Sequence, residues 1–345
     1  MGMPGSFRKL LSPLFALALT CNGAWAASPP SAAAIAIPGG EHGIGFDDMV
    51  YSPELRRFII PAGQTGNLVL ISPGSGALTV IAHVSDTTGA AGHGKGITSA
   101  AVGLGYIFAG NRSAQEIAII DPRTNHVVAR QPLAAAPDYV RYVNAQRELW
   151  VTEPGAEQIQ VFQVHADDTP RLEPGDTIHV PGGPESLVID DRRGVAYTNL
   201  WSNETLSIGL VGHRIVSHWP NTCTAARGLA MAPRTGLLFV GCKEGKVISM
   251  DPSDNGTILS TATAGNGVDI IAFDTSTNRL YVPGAHSGTL TVLSVAPSGR
   301  LKPQASYRTA VNAHCIVSDG NGTVYVCDPH QGRLLVIAPQ TISNH

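Results

Sequence analysis

The sequence is poor in charged residues and has no apolar run long enough to cross a membrane. Only 14% of its 345 residues are charged, with 23 Lys and Arg against 26 Asp and Glu. Binding to nucleic acid phosphates needs a basic surface, and a membrane-spanning helix needs about 20 apolar residues. The composition therefore predicts no nucleic acid partner and no membrane span.

The cysteines are few, and none has the spacing of a metal or haem site. The five cysteines form no CxxC or CxxCH pattern. Cys21 lies in an N-terminal stretch with Arg8 and Lys9, an apolar segment at 10–19 and a small-residue site ending at Ala26. This order is typical of a secretory signal peptide, residues 1–26. We expect the mature protein, residues 27–345, to be a single domain that is periplasmic or secreted, with its four cysteines in two disulfides.

Amphipathic helical patterns are almost absent, and short runs of strand character recur instead. Seven such runs share a central apolar residue, with spacings of 48, 43, 47, 42, 42 and 44 residues. The central residues are Ile59, Ile107, Trp150, Tyr197, Phe239, Tyr281 and Tyr325. A period of about 40 to 50 residues is typical of a four-stranded propeller blade. The sequence predicts an all-β, seven-bladed β-propeller with four antiparallel strands in each blade.

The seventh unit lacks its outer strand, because the chain stops soon after the third one. The apolar segment at 32–38 precedes the first unit and has the length of a strand. An unpaired sheet edge promotes association, so joining the two chain ends in one blade is favourable. We expect residues 34–37 to pair with the strand at 334–337.

Several of the repeated runs resemble a known family. Tyr197-Thr198-Asn199, Trp150-Val151-Thr152 and Tyr281-Val282 look like the motif of the YVTN-repeat (YncE-like) periplasmic seven-bladed propellers. The resemblance covers essentially the whole mature chain. It implies an exported propeller with a face for a ligand or partner, and it implies no single activity.

A polar residue stands at the head of every first strand. Counting back twelve residues from each central residue, or eleven in the last unit, gives this ring: Asp47, Lys95, Asp138, Glu185, Arg227, Asp269 and His314. First strands line the channel of a propeller, so these side chains are expected in one layer near one mouth. Burial in a core does not explain charge at all seven positions, and the ring is our candidate ligand-binding site.

The ring also permits other interpretations. Its cations alternate with acids, so it can neutralise itself as a structural set of ion pairs. No cofactor is required, although carboxylates also bind Ca²⁺ or another divalent cation. Asp138 and Glu185 are the neighbouring acids with no cation between them, and they are where a metal would bind if one does.

Residues that follow the second strands are expected to form a rim around the same mouth. This rim set contains Glu153, Trp201, His286 and His330. His42 and His93 lie in glycine-rich segments that can approach it.

Two functions remain open from the sequence. The first is a monomeric binding protein that holds a small molecule or a protein partner at the charged mouth. The alternative is a metal-assisted lyase or lactonase of the streptogramin lyase or gluconolactonase kind, so catalysis is left undecided. Blade positions also predict disulfides Cys223–Cys242 and Cys315–Cys327, because cross-blade pairs exceed the roughly 7 Å limit between Cα atoms.

Overall fold

The computed structural model describes residues 1–2, 33–86, 92–167 and 169–337. The predicted signal peptide lies outside the described residues except for its first two. In the described residues the helices are two single 3₁₀ turns, Pro154–Ala156 and Pro252–Asp254, and no helix there is suited to crossing a membrane.

The strands form seven four-stranded antiparallel sheets, which confirms the predicted fold class. Blade one contains β2 (Val50–Ser52), β3 (Arg57–Pro61), β4 (Leu68–Ile71) and β5 (Leu78–Ile81). Blade two contains β6 (Ile97–Gly103), β7 (Tyr106–Asn111), β8 (Glu116–Asp121) and β9 (His126–Pro132). Blade three contains β10 (Val140–Val143), β11 (Glu148–Glu153), β12 (Gln158–His165) and β13 (Arg171–His179). Blade four contains β14 (Pro184–Asp190), β15 (Val195–Leu200), β16 (Glu204–Gly209) and β17 (Arg214–Pro220).

The remaining three blades repeat the pattern. Blade five contains β18 (Ala226–Ala232), β19 (Leu237–Cys242), β20 (Lys246–Asp251) and β21 (Thr257–Thr263). Blade six contains β22 (Ala272–Asp274), β23 (Arg279–Gly284), β24 (Thr289–Val295) and β25 (Leu301–Arg308). Blade seven contains β26 (Ile316–Ser318), β27 (Val324–Asp328), β28 (Arg333–Ile337) and the N-terminal β1 (Ala34–Ala36).

The ring closes in two ways. The first strand of each blade contacts the first strand of the next, and β26 contacts β2. In addition, β1 pairs with β28 in the register Ala34 with Leu335 and Ala36 with Arg333. The expected N-terminal closure is confirmed, although the partners are residues 333–335 instead of 334–337, and the pairing covers the outer edge of β28.

The core lies between the blades. Six clusters of buried apolar side chains each join adjacent blades around the ring. The central residues of the repeat are all fully or almost fully buried. Phe58 of blade one, for example, meets the Tyr325 ring of blade seven edge to face at 4.3 Å. The repeated aromatic and apolar residues therefore bind one blade to another.

Both predicted disulfides are present. Cys223 pairs with Cys242 at a Cα separation of 5.3 Å, and Cys315 pairs with Cys327 at 5.6 Å. Each bond joins the segment that enters a first strand to the second strand of the same blade. The two bonds therefore fasten the mouth side of blades five and seven.

Candidate functional site

A concave cavity of about 580 Å³ lies at the channel mouth, where first strands begin and second strands end. We call it the mouth cavity. Of the predicted ring, these six residues line it: Asp47, Asp138, Glu185, Arg227, Asp269 and His314. Each comes from a different blade. In each blade the polar residue precedes the apolar part of the first strand, and it therefore lies at the mouth of the channel.

Lys95 is the ring residue that does not line the cavity. Its neighbours Gly94 and Gly96 both adopt positive φ, 73° and 70°, and Lys95 itself is exposed. Arg112, directly after β7, is instead the positively charged residue that blade two contributes to the cavity. Its backbone N–H donates to the Gly96 carbonyl at 2.8 Å, and its Nη1 lies 2.6 Å from Asp138 Oδ1.

Glu153 also departs from its predicted place on the rim. The residue is fully buried at the end of β11 and does not line the mouth cavity. One carboxylate oxygen accepts the Ala135 N–H at 3.2 Å, and the other accepts from Gln158 Nε2 at 2.5 Å. These bonds turn the side chain into the blade instead of toward the mouth.

The other predicted rim residues, Trp201, His286 and His330, do line the cavity, together with His42 and His93. The sequence interpretation missed Arg112 and Lys243. Both stand four or five residues after the central residue of their repeat, at the offset that places Trp201, His286 and His330. Applying that offset to blades two and five identifies both cations from the sequence alone.

Glu185, Trp201 and Arg227 form one contact group on the blade four and five side. Trp201 Nε1 donates to Glu185 Oε2, and the Arg227 guanidinium lies 4.3 Å from the centre of the indole ring. Arg227 Nη1 is 3.6 Å from Glu185 Oε1, which is too long for a hydrogen bond, and has no hydrogen-bond partner among the described residues. The charged groups of Arg227 and Glu185 thus lie close together without a hydrogen bond between them.

Three acids of the cavity, Asp47, Asp138 and Glu185, hold protons more tightly than free carboxyl groups. Burial, reinforced by the charges of Asp138 and Asp269, raises the pKa of Glu185 to about 8. Burial raises the pKa of Asp138 to about 6, although Arg112 opposes the shift. Burial and the charge of Asp138 likewise raise the pKa of Asp47 well above its ordinary value. Burial and the neighbouring acids thus outweigh the opposing charges of Arg112 and Arg227, which leaves the cavity short of positive charge.

A second group of side chains gathers on the side of blades six, seven and one. Metal-binding atoms of His93, Asp269 and His314 all lie within 4.8 Å of one another. His93 Nε2 is also 3.6 Å from Asp47 Oδ2, a buried oxygen that accepts no hydrogen bond from the described residues. The sequence predicted that a metal, if one is bound, would bind at Asp138 and Glu185. The guanidinium groups of Arg112 and Arg227 lie beside those acids instead.

Comparison with known proteins supports the fold and nothing finer. No family model matches the chain, and no curated protein matches it. Among solved structures, a chain of Kuenenia stuttgartiensis hydrazine synthase is 12% identical with a TM-score of 0.70, covering 88% of this chain and 97% of its own. A chain of the mitotic checkpoint complex is 12% identical with a TM-score of 0.73, covering 97% and 98%. The β-propeller domain of Myceliophteria thermophila Cps50 (Swd1) is 9% identical with a TM-score of 0.68, covering 88% and 98%.

Proposed function

We propose that the chain is an exported binding protein that holds a small ligand with a positively charged group in the mouth cavity. The disulfides favour an oxidising compartment, and the N-terminal signal pattern supports export. The YVTN-type motifs support membership of that propeller family as a part of the same proposal.

One observation carries the proposal. Carboxylates from four blades, Asp47, Asp138, Glu185 and Asp269, converge on one concave space of about 580 Å³. Small-molecule sites typically enclose about 300–1,000 Å³ and use a few convergent polar groups for orientation. The size and concavity favour a small ligand over a protein surface, which would meet these carboxylates only at the rim.

The charges specify the kind of ligand. Burial, together with the charges of neighbouring acids, keeps the pKa values of Glu185 and Asp138 high, and an added positive group would stabilise their charged forms. Trp201 adds an aromatic wall, since its side chain is 55% exposed at the rim. Aromatic faces and carboxylates together are a common way to bind organic ammonium groups.

The alternative functions have less support. The lyase or lactonase alternative finds no support in the comparisons, and we do not propose it. A protein partner is known for neighbours such as the chain of the mitotic checkpoint complex, but at 12% identity that likeness concerns the fold alone.

The proposal is tested with three probes of equal carbon length, namely putrescine, succinate and a neutral butanediol. The protein used is residues 27–345, which lacks Trp25. Trp150 and Trp219 are buried, so a ligand in the cavity changes mainly the fluorescence of Trp201. We expect putrescine to bind and the other two not to bind at the same concentration and ionic strength. Saturable binding of succinate without binding of putrescine would overturn the proposal.

Matched variants locate the binding. Asp138→Asn and Glu185→Gln should each weaken putrescine binding by about tenfold, roughly 1.4 kcal/mol. Asp254→Asn is the control, because Asp254 is an exposed acid beyond the far end of β20, away from the mouth. Equal losses in all three variants would show a general charge effect and contradict a site in the cavity.

A further inference from the structure

We infer that the mouth cavity also binds one divalent first-row transition-metal ion through His93, Asp269 and His314. This site lies on the blade six, seven and one side of the cavity. It is a separate proposal from the organic ligand, although Asp269 is also one of the four carboxylates that line the cavity.

The three side chains are close enough to share one ion. Their ligand atoms lie within 4.8 Å of one another, and two atoms bound to the same ion at about 2.1 Å are at most about 4.2 Å apart. The His93 side chain is 55% exposed, so a small rotation of its ring brings the set together. Asp269 and His314 already stand at the heads of adjacent blades.

His314 is held in the orientation of a metal ligand. Its Nδ1 lies 2.7 Å from the Asn312 carbonyl oxygen, and its Nε2 lies 2.7 Å from the Phe46 carbonyl oxygen. Metal-binding histidines usually donate the other ring N–H to a carbonyl or carboxylate, which fixes the tautomer. Without an ion, Nε2 carries a proton and donates to the Phe46 carbonyl, and an ion bound at Nε2 takes the place of that proton.

Asp47 supplies a second, independent indication. Its side chain is 93% buried and its Oδ2 accepts no hydrogen bond from the described residues, yet it lies 3.6 Å from His93 Nε2. A buried carboxylate oxygen without a partner is costly unless something binds it. A cation among His93, Asp269 and His314 provides that compensation.

The donor set selects the class of ion. Two imidazoles with a carboxylate suit zinc, iron, cobalt and related ions, whereas Ca²⁺ and Mg²⁺ prefer sets made of oxygen alone. The nearby guanidinium groups are held elsewhere, since Arg112 pairs with Asp138 and Arg227 lies over Trp201. Lys95 is exposed, so it does not compete for the position.

The test uses untagged full-length protein after removal of metals by a chelator. We expect one Zn²⁺ per chain by titration calorimetry, and with Co²⁺ a visible absorption band of nitrogen and oxygen coordination. Mg²⁺ and Ca²⁺ serve as oxygen-preferring controls and should bind at least about a hundredfold more weakly. His93→Gln and His314→Gln should each lower the Zn²⁺ affinity by at least about tenfold.

The matched controls are His286→Gln, which removes a histidine of the same cavity outside the set, and His126→Gln, which removes an exposed histidine of the outer strand β9. Their Zn²⁺ affinity should stay within about twofold of the unmodified protein. His93 is half-exposed, so His93→Gln decides the test if His314→Gln does not fold. The inference is overturned if the unmodified protein binds no Zn²⁺ or Co²⁺, or if the control variants lose as much affinity as His93→Gln. Neither result bears on putrescine binding, which is measured without metal.

Discussion

Asp48 and Arg141 form a bidentate ion pair between blades one and three although they are 93 residues apart in sequence. Arg141 Nη1 lies 2.5 Å from Asp48 Oδ2, and Nη2 lies 2.9 Å from Oδ1. Ser99 also donates to Asp48, and Arg141 Nε donates to the Leu187 carbonyl at 3.0 Å. The pair and its two hydrogen-bond partners thus join blades one to four, close in sequence to the ring residues Asp47 and Asp138.

Removing one partner of this pair should destabilise the fold strongly. Asp48→Asn leaves the Arg141 guanidinium without its carboxylate, and breaking a buried pair costs about 3–5 kcal/mol. We expect a loss of that size in the free energy of unfolding, measured by urea denaturation. The double variant with Arg141→Met should recover part of the loss, because no unpaired charge remains.

The control for this prediction is an exposed pair. Glu173 and Arg171 are 60% and 55% exposed and 3.3 Å apart, so Glu173→Gln should change the free energy of unfolding by less than about 1 kcal/mol. If Asp48→Asn changes it as little as Glu173→Gln does, the pair does not hold the blades together.

The second prediction concerns the closure of the ring by the N-terminal strand. Deletion of residues 27–38 removes β1 and the buried side chain of Ile37, and it exposes the edge of β28 to other molecules. We expect a lower thermal midpoint and concentration-dependent association, measured by calorimetry and light scattering. Ala36→Ser is the control, since the exposed Ala36 keeps its strand pairing, and it should leave both measurements unchanged.

The fold was predictable because each of its determinants is local and repeated. A blade needs a strand, a turn and an apolar central residue, and these recur at near-constant spacing. The turn after β22 illustrates this: Asp274 Oδ1 accepts the backbone N–H groups of Ser276 and Thr277 at 3.1 and 2.9 Å. Such turn chemistry is determined by a few adjacent residues and is readable in the sequence.

The site was only partly predictable, because side-chain direction depends on backbone conformation that the repeat does not specify. Six ring residues reach the cavity, whereas Lys95 is diverted by the positive φ of Gly94 and Gly96. The group of His93, Asp269 and His314 joins segments far apart in sequence. Only the ring closure brings Asp269 and His314 beside His93, and no local spacing encodes that contact.

The pKa of Glu185 gives the third prediction, a dependence of stability on pH. Its carboxyl group titrates at about 8 in the folded chain and near 4.3 when unfolded. A raised pKa means that the folded state binds the proton more tightly, so this contribution to stability is complete below the unfolded pKa. It declines as pH rises and is lost above about 8. The neighbouring charges are Arg227, which opposes the shift, and Asp138 and Asp269, which favour it.

Glu185→Gln should flatten that dependence, because the amide stays neutral and still accepts a hydrogen bond from Trp201. Asp138 and Asp47, whose pKa values are also raised, are present in both proteins, so the difference between variant and unmodified protein reports on Glu185. We expect the free energy of unfolding to fall over this interval in the unmodified protein and to fall less in the variant, by up to a few kcal/mol. Urea denaturation at several pH values at constant ionic strength provides the measurement. Parallel curves for the two proteins would mean that Glu185 is already ionised at pH 6. The conclusion that the cavity is short of positive charge would then be wrong.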